Sequence, residues 1–266
     1  MKVSSLILCI GAMLIAGGCG TSSSLTGTGG RVVLLHGLGR TDLSMYFIER
    51  ELSERGYRVF NVGYPSTEHS IEYLAEDELG PALAGCCVGS NDTIHFVTHS
   101  MGGIVLRYYL EKHEIENLGR VVMISPPNKG TELADWVAEN EFLESVLGPS
   151  VEELGTGAES VPRRLGPVDF ELGIIAGDRS LNPLFSRLIP GEDDGKVSVE
   201  ATKVPGMSDF LVVAHSHTYI MMNDDVVEQV AYFLEHGRFR ETGVSAPGDS
   251  SAHPAGEKAV DGAPTG

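Results

Sequence analysis

One serine, set between a strand and a helix, constrains this chain more than any other feature. The run Thr93-Ile94-His95-Phe96-Val97 is β-branched and apolar enough for an interior strand, and Ile104-Val105-Leu106-Arg107-Tyr108-Tyr109-Leu110 resumes at helical period. Between them stands Thr98-His99-Ser100-Met101-Gly102-Gly103, which leaves room only for a sharp elbow. Such an elbow exposes the Ser100 hydroxyl at the carboxyl end of a parallel sheet and points it at the first amides of the following helix. Crowding there calls for small neighbours, a need that Gly102 meets and Thr98 meets only in part.

A second segment supports the first. Arg31-Val32-Val33-Leu34-Leu35 reads as another buried strand and runs into His36-Gly37-Leu38-Gly39, a turn able to present a backbone N–H near the elbow. Acyl transfer at a serine needs two donors aimed at the developing oxyanion, and losing one typically costs about a hundredfold or more in rate. The backbone N–H groups of Leu38 and Met101 are assigned that role; His36 shapes the turn, and His36 and Gly37 are candidates for lining the substrate pocket.

On these motifs and their order the chain resembles the α/β-hydrolase family, in its small bacterial lipase and esterase branch, over about Arg31 to Phe239. Thr98 stands where the family's elbow most often has glycine, a departure that lipase-like members written His-Ser-Met-Gly-Gly share. The resemblance implies a mainly parallel central sheet with helices on both faces, and a triad in the chain order Ser, Asp or Glu, His. Asp194 is the acid so implied, because Asp194-Gly195-Lys196-Val197 is similar to the family's acid loop; Asp193 and Asp178 are its rivals. His217 is the base so implied, from the stretch Ser216-His217-Thr218-Tyr219-Ile220-Met221, with His215 as the alternative. His95 and His99 read as structural, and His69, His113, His236 and His253 as surface residues without a partner pattern.

Alternation of elements agrees with this architecture. Strand-like Val59 to Val62, Val121 to Ile124, Leu172 to Gly177 and Phe210 to Ala214 fall between helical stretches near Leu43 to Arg55, Ile71 to Leu83, Gly102 to His113 and Asp224 to His236. Between Ile124 and Leu172, the residues Leu133, Trp136, Val137, Leu143, Val146 and Leu147 follow at helical intervals until Gly148-Pro149. That run reads either as a short cap over the acyl site, with Trp136 near its mouth, or as a helix packed on the sheet.

The amino terminus carries an export signal. Met1-Lys2 precedes an apolar run from Leu6 to Ala16, too short for a membrane span, and Gly17-Gly18-Cys19 follows. Small residues before a cysteine resemble a bacterial lipoprotein signal. That resemblance implies cleavage after residue 18, a lipid on Cys19 and, with Gly20 next, the outer membrane of a Gram-negative host; plain secretion or a periplasmic location is the alternative. The expected organisation is a signal at 1–18, a flexible tether at 19–30, one catalytic domain at 31–240 and a disordered Gly/Ala/Pro/Ser-rich tail at 241–266.

Composition then removes function classes. A formal net charge of −18 argues against nucleic acid and against adhesion to anionic lipid, so membrane contact is expected through the anchor alone. Ligand spacing for a metal and a dinucleotide fingerprint are both missing from the sequence, and serine chemistry of this kind needs no cofactor. Cys86 and Cys87 are adjacent, a spacing that seldom reaches disulfide geometry without strain, and they read as two small apolar residues entering a strand. The expected protein is a monomeric carboxylic-ester hydrolase acting on acyl or lipid esters through an acyl-serine. An acyltransferase, thioesterase or amidase on the same triad, or a non-catalytic surface lipoprotein, is the alternative.

Overall fold

Predominantly apolar runs make strands buried on both faces, and here such runs form the middle of one parallel sheet. The computed structural model describes residues 29–87, 89 and 91–241. The expected signal, Cys19 and nearly all of the tether and tail lie outside the described residues.

In chain order the elements are β1 (Gly29–Leu35), α1 (Tyr46–Glu54), β2 (Tyr57–Val62), α2 (Ile71–Tyr73) and α3 (Gly80–Cys86). Then come β3 (Ile94–His99), α4 (Met101–Lys112), β4 (Leu118–Ile124), α5 (Glu132–Ala138), α6 (Glu141–Leu147) and α7 (Val161–Arg164). The last are β5 (Leu172–Gly177), α8 (Val199–Thr202), β6 (Asp209–Val213) and α9 (Asp224–His236). The sheet order is β2-β1-β3-β4-β5-β6, with every neighbouring pair parallel.

Side chains alternate across the sheet and so divide the core in two. Val33, Leu35, Phe96, Val121, Met123 and Ile174 face α4 with its Ile104, Val105 and Leu106. Val32, Leu34, Val97, Val122, Ile124 and Ile175 face α1 through Ile48 and Leu52, and α9 through Val226, Val230 and Phe233. Register fixes what happens at the carboxyl edge: Leu35 pairs with Thr98 and His99 with Ile124, so the turns after β1, β3 and β4 emerge side by side.

Three local expectations are corrected. Ile71 to Leu83 is not one regular helix: α2 passes through a π-wound segment, Leu74–Leu79, into α3. Pro81, in the first turn of α3, has no N–H to continue the ladder across that junction. The run from Leu133 to Leu147 is two helices, because the Asn140 side chain accepts from the Leu143 N–H and starts a new one. Cys86 and Cys87 are joined in a disulfide at the end of α3; β3 begins only at Ile94, so the pair sits in a turn and not in a strand.

Candidate active site

Strain marks the centre of the site. Ser100 has φ 54° and ψ −126°, between the last residue of β3 and the first of α4. A non-glycine residue there costs on the order of 1–3 kcal/mol and persists only because the surroundings hold it. They do so through backbone: the Ser100 N–H donates to the Ile124 carbonyl at 2.8 Å, and the Gly103 N–H to the Ser100 carbonyl at 3.0 Å. A Cβ on Gly102 would lie 2.7 Å from the carbonyl oxygens of both Leu35 and His36, so α4 can start against the end of β1 only with glycine there. Thr98, which stands where the resembled family most often has glycine, is fully buried, and its hydroxyl has no hydrogen-bond partner among the described residues.

The structure brings Ser100, His217 and Asp194 together. The Ser100 hydroxyl lies 3.0 Å from His217 Nε2, and His217 Nδ1 lies 2.8 Å from Asp194 Oδ2. A carboxylate only accepts, so Nδ1 carries the proton and Nε2 is free to accept from the serine. The acid loop is fastened to the histidine loop through backbone as well, the His217 N–H donating to the Asp194 carbonyl at 2.9 Å.

Asp194 is almost wholly buried. Burial pushes its carboxyl up, but the charge and hydrogen bond of His217, the Val197 N–H and the neighbouring Ser125 outweigh that and hold it below its ordinary value. Oδ1 receives the N–H groups of Lys196 and Val197 at 3.0 and 2.9 Å, which leaves Oδ2 for the imidazole. The rivals are occupied elsewhere. Asp193 Oδ1 accepts from the Ser186 hydroxyl and the Gly195 N–H, bracing the loop. Asp178 lies beside Arg179, and His215 is paired with Asp225 at 2.8 Å.

His99 supports His217 from below. Its Nε2 is 3.1 Å from the His217 carbonyl, which can only accept, so Nε2–H donates and Nδ1 is bare and buried without a partner. Burial, and then the positive neighbours His217, Lys196 and Arg40, hold its pKa well below the usual value. A neutral ring there adds no second positive charge beside His217. His95 accepts from the Arg120 N–H, a structural role as expected, whereas His113 does have a partner, Glu76, at 2.8 Å.

The turn after β1 differs from expectation in one respect. A Cβ on Gly37 would stand 2.9 Å from that of Ser100, so this turn runs against Ser100. Leu38 lines the cavity that opens on Ser100, but His36 and Gly37 do not. His36 is fully buried behind the turn, stacked on Tyr64 at 4.0 Å, with its carbonyl accepting from the Tyr64 hydroxyl. It is a structural support for the turn and not a pocket residue. Met101 is the first residue of α4, where an N–H has no acceptor one turn back.

That cavity holds about 290 Å³ and is bordered by Ser100, His217, Trp136, Leu143, Leu147, Val151 and Phe185, among others. The helices α5 and α6 form its wall, which makes the segment a cap and not merely a helix laid on the sheet. Trp136 meets Phe185 at 5.9 Å between ring centres and is 39% exposed, so it stands at the rim. A larger hollow of about 580 Å³ lies at the opposite ends of the strands, but its Arg55 and Arg120 are paired with Glu51, Glu228 and Glu171, away from the serine.

Ser125 and Lys196 carry no sequence signal that marks them. Ser125, fully buried at φ 49° just after β4, stands next to the Asp194 carboxylate; a strand end beside the elbow is the only clue to it.

No protein-family model and no curated protein matches the chain. Solved structures do. The mature lipase BlEst2 of Bacillus licheniformis is similar at TM-score 0.58 and 19% identity, over 79% of this chain and 92% of that one. The metagenomic carboxyl esterase MGS0156 is similar at TM-score 0.58 and 22% identity, over 71% of this chain and 64% of that one. Phospholipase PlaB of Legionella pneumophila is similar at TM-score 0.53 and 17% identity, over 65% of this chain and 45% of that one, so the chain spans less than half its length. Sheet order and neighbours agree on one architecture: the chain has the α/β-hydrolase fold.

Proposed function

We propose that this chain is a serine hydrolase that cleaves carboxylic esters of acyl or lipid type through an acyl-Ser100 intermediate. The observation that carries the reading is His217, which touches Ser100 with one ring nitrogen and Asp194 with the other. His217 Nε2 takes the hydroxyl proton as Ser100 Oγ attacks the ester carbonyl, and Asp194 stabilises the imidazolium that forms. The oxyanion rests on the N–H groups of Leu38 and Met101. Collapse breaks the ester bond, and the leaving alcohol takes the proton from His217. Water then attacks the acyl-serine by the same route and releases the acid. That solved neighbours named lipase and carboxyl esterase share the fold supports the choice of ester over other acyl compounds. Treatment with a fluorophosphonate probe, read by intact mass, tests it directly; a folded wild-type protein that takes up no label would sink it.

In this reading the cavity under α5 and α6 takes the acyl chain. A buried methylene is worth about 0.8 kcal/mol, so removing a rim indole from a long chain but not from a short one is expected to shift their ratio by roughly fivefold. Trp136→Ala should therefore lower kcat/KM for an octanoyl ester relative to an acetyl ester. An unchanged ratio would take Trp136 out of the substrate path. We also propose that Cys19 carries the domain on a lipid anchor at the cell envelope. The membrane-bound protein should then show the mass of the acylated, cleaved chain, and Cys19→Ser should be recovered without it.

A further inference from the structure

Apart from Ser100, His217 and Thr131, the side chains that border the cavity at Ser100 are apolar, with one lysine among them. Lys196 borders it together with Ser100 and His217, although Asp194-Gly195-Lys196-Val197 already supplies the triad acid. Its main chain is fully used: the N–H donates to Asp194 Oδ1 at 3.0 Å, and the carbonyl accepts from the Thr131 hydroxyl. Lys196 is therefore rigidly mounted two residues from the acid, and its side chain is half-buried.

Its ammonium has no carboxylate within ion-pair distance among the described residues. The acid that acts on it is Asp194, whose oxygens already serve His217 and two backbone N–H groups. The other charge acting on it has the same sign. Arg40, two residues beyond Leu38, approaches from the turn after β1, donates to the Thr218 carbonyl at 2.9 Å, and likewise has no ion pair among the described residues. Burial and the Arg40 guanidinium hold the Lys196 amine below its ordinary pKa, against the opposing pull of Asp194.

This is a costly arrangement in a chain with 37 acidic and 19 basic residues. Half-buried cations are normally paired, and two of them held together repel. A negatively charged group on the ligand would relieve both penalties at once. We propose that Lys196, assisted by Arg40, forms an anion subsite beside Ser100, and that the ester cleaved here carries a phosphate or carboxylate close to the scissile bond. The inference rests on the ester-hydrolase reading above and narrows its substrate class. The strong net negative charge of the whole chain does not oppose it, since charges beyond about 10 Å are screened at ordinary salt while contacts at the site are not.

Matched pairs of substrates test it with the full chain. One pair sets the carboxylate on the acyl side: the mono-nitrophenyl ester of glutaric acid against nitrophenyl valerate. The other sets a phosphate on the alcohol side: 1-acylglycerol 3-phosphate against the 1-acylglycerol. The anionic member of one pair is expected to lead in kcat/KM by about tenfold or more at low salt, and the leading pair identifies the source of the anion. Lys196→Met should collapse that lead, Lys196→Arg should keep it, and 0.5 M salt should reduce it. Arg40→Gln, which leaves the acid loop's own residues unchanged, should reduce it as well and serves if Lys196→Met does not fold. Equal use of both members of each pair by the wild type would overturn the proposal, as would a loss in Lys196→Met that is the same for charged and neutral esters. Fluorophosphonate labelling separates the two levels. Labelling without an anion preference removes the subsite alone, whereas absence of labelling removes the hydrolase reading beneath it.

Discussion

Ser100→Ala is expected to abolish fluorophosphonate labelling and to lower kcat for a nitrophenyl ester by on the order of a million-fold, with the protein still folded. The loss is large because the nucleophile has no substitute in the proposed pose: His217 is the base, the two backbone amides only donate, and Lys196 is engaged by the substrate's anion. Fold should survive because the change removes one hydroxyl, whose partner is His217, and retains the Cβ. The elbow adds a second, independent readout. Ser100 holds φ 54°, a conformation that alanine tolerates no better than serine but glycine adopts freely. Ser100→Gly should thus be as inactive as Ser100→Ala yet melt at a higher temperature, by what is left of the roughly 1–3 kcal/mol of strain after the about 0.5–1 kcal/mol that glycine's freedom in the unfolded chain costs. A melting temperature below that of Ser100→Ala would show that the turn is not strained at this residue. Residual labelling of either variant would mean that the reactive group is elsewhere.

Much of this site is legible in the residues because it is built from local signals. A β-branched run, a serine with two following glycines and a helical run leave one geometry for Ser100, and β3 and α4 take it up within two residues of the expected ends. Strand boundaries at Leu172–Gly177 and the helix Asp224–His236 follow from hydrophobic period in the same way. What resists reading depends on which of several equivalent side chains turns inward. Glu192, Asp193 and Asp194 are interchangeable as letters, and the choice falls to Asp194 because Gly195 at φ 96° swings Lys196 and Val197 round to donate to it. His36 reads as a pocket residue because it adjoins Leu38, yet its ring is drawn away by Tyr64, a contact 28 positions distant that no local pattern announces. The same holds for Ser125 and for the charge on Lys196, which acquire meaning only once β4 and the acid loop are set against the elbow.

Asp194→Asn should lower kcat by about ten-thousand-fold without unfolding the chain, for a reason specific to this loop. Oδ1 accepts from two backbone N–H groups, at 3.0 and 2.9 Å. An amide introduced there must keep its oxygen toward those donors, since turning its NH₂ to them would set donor against donor. Its NH₂ is then forced toward His217 Nδ1 in place of Oδ2, and His217 must present a bare nitrogen to it. The proton moves to Nε2, the nitrogen that has to receive the serine's, and the base is disabled while every heavy atom stays in position. The variant should therefore bind a substrate-like inhibitor nearly as well as wild type while failing to turn over, and a KM that rises in step with the loss of kcat would contradict this. Stability provides the check on charge. The Asp194 pKa is held below its ordinary value of 3.8, so its contribution is fully present above that value and is lost as pH falls through the lower, folded-state one. Wild type should be the more stable protein at neutral pH, and the gap between it and Asp194→Asn should narrow only in strong acid. A gap independent of pH would mean that the carboxylate is held no more tightly in the folded protein than in the unfolded chain.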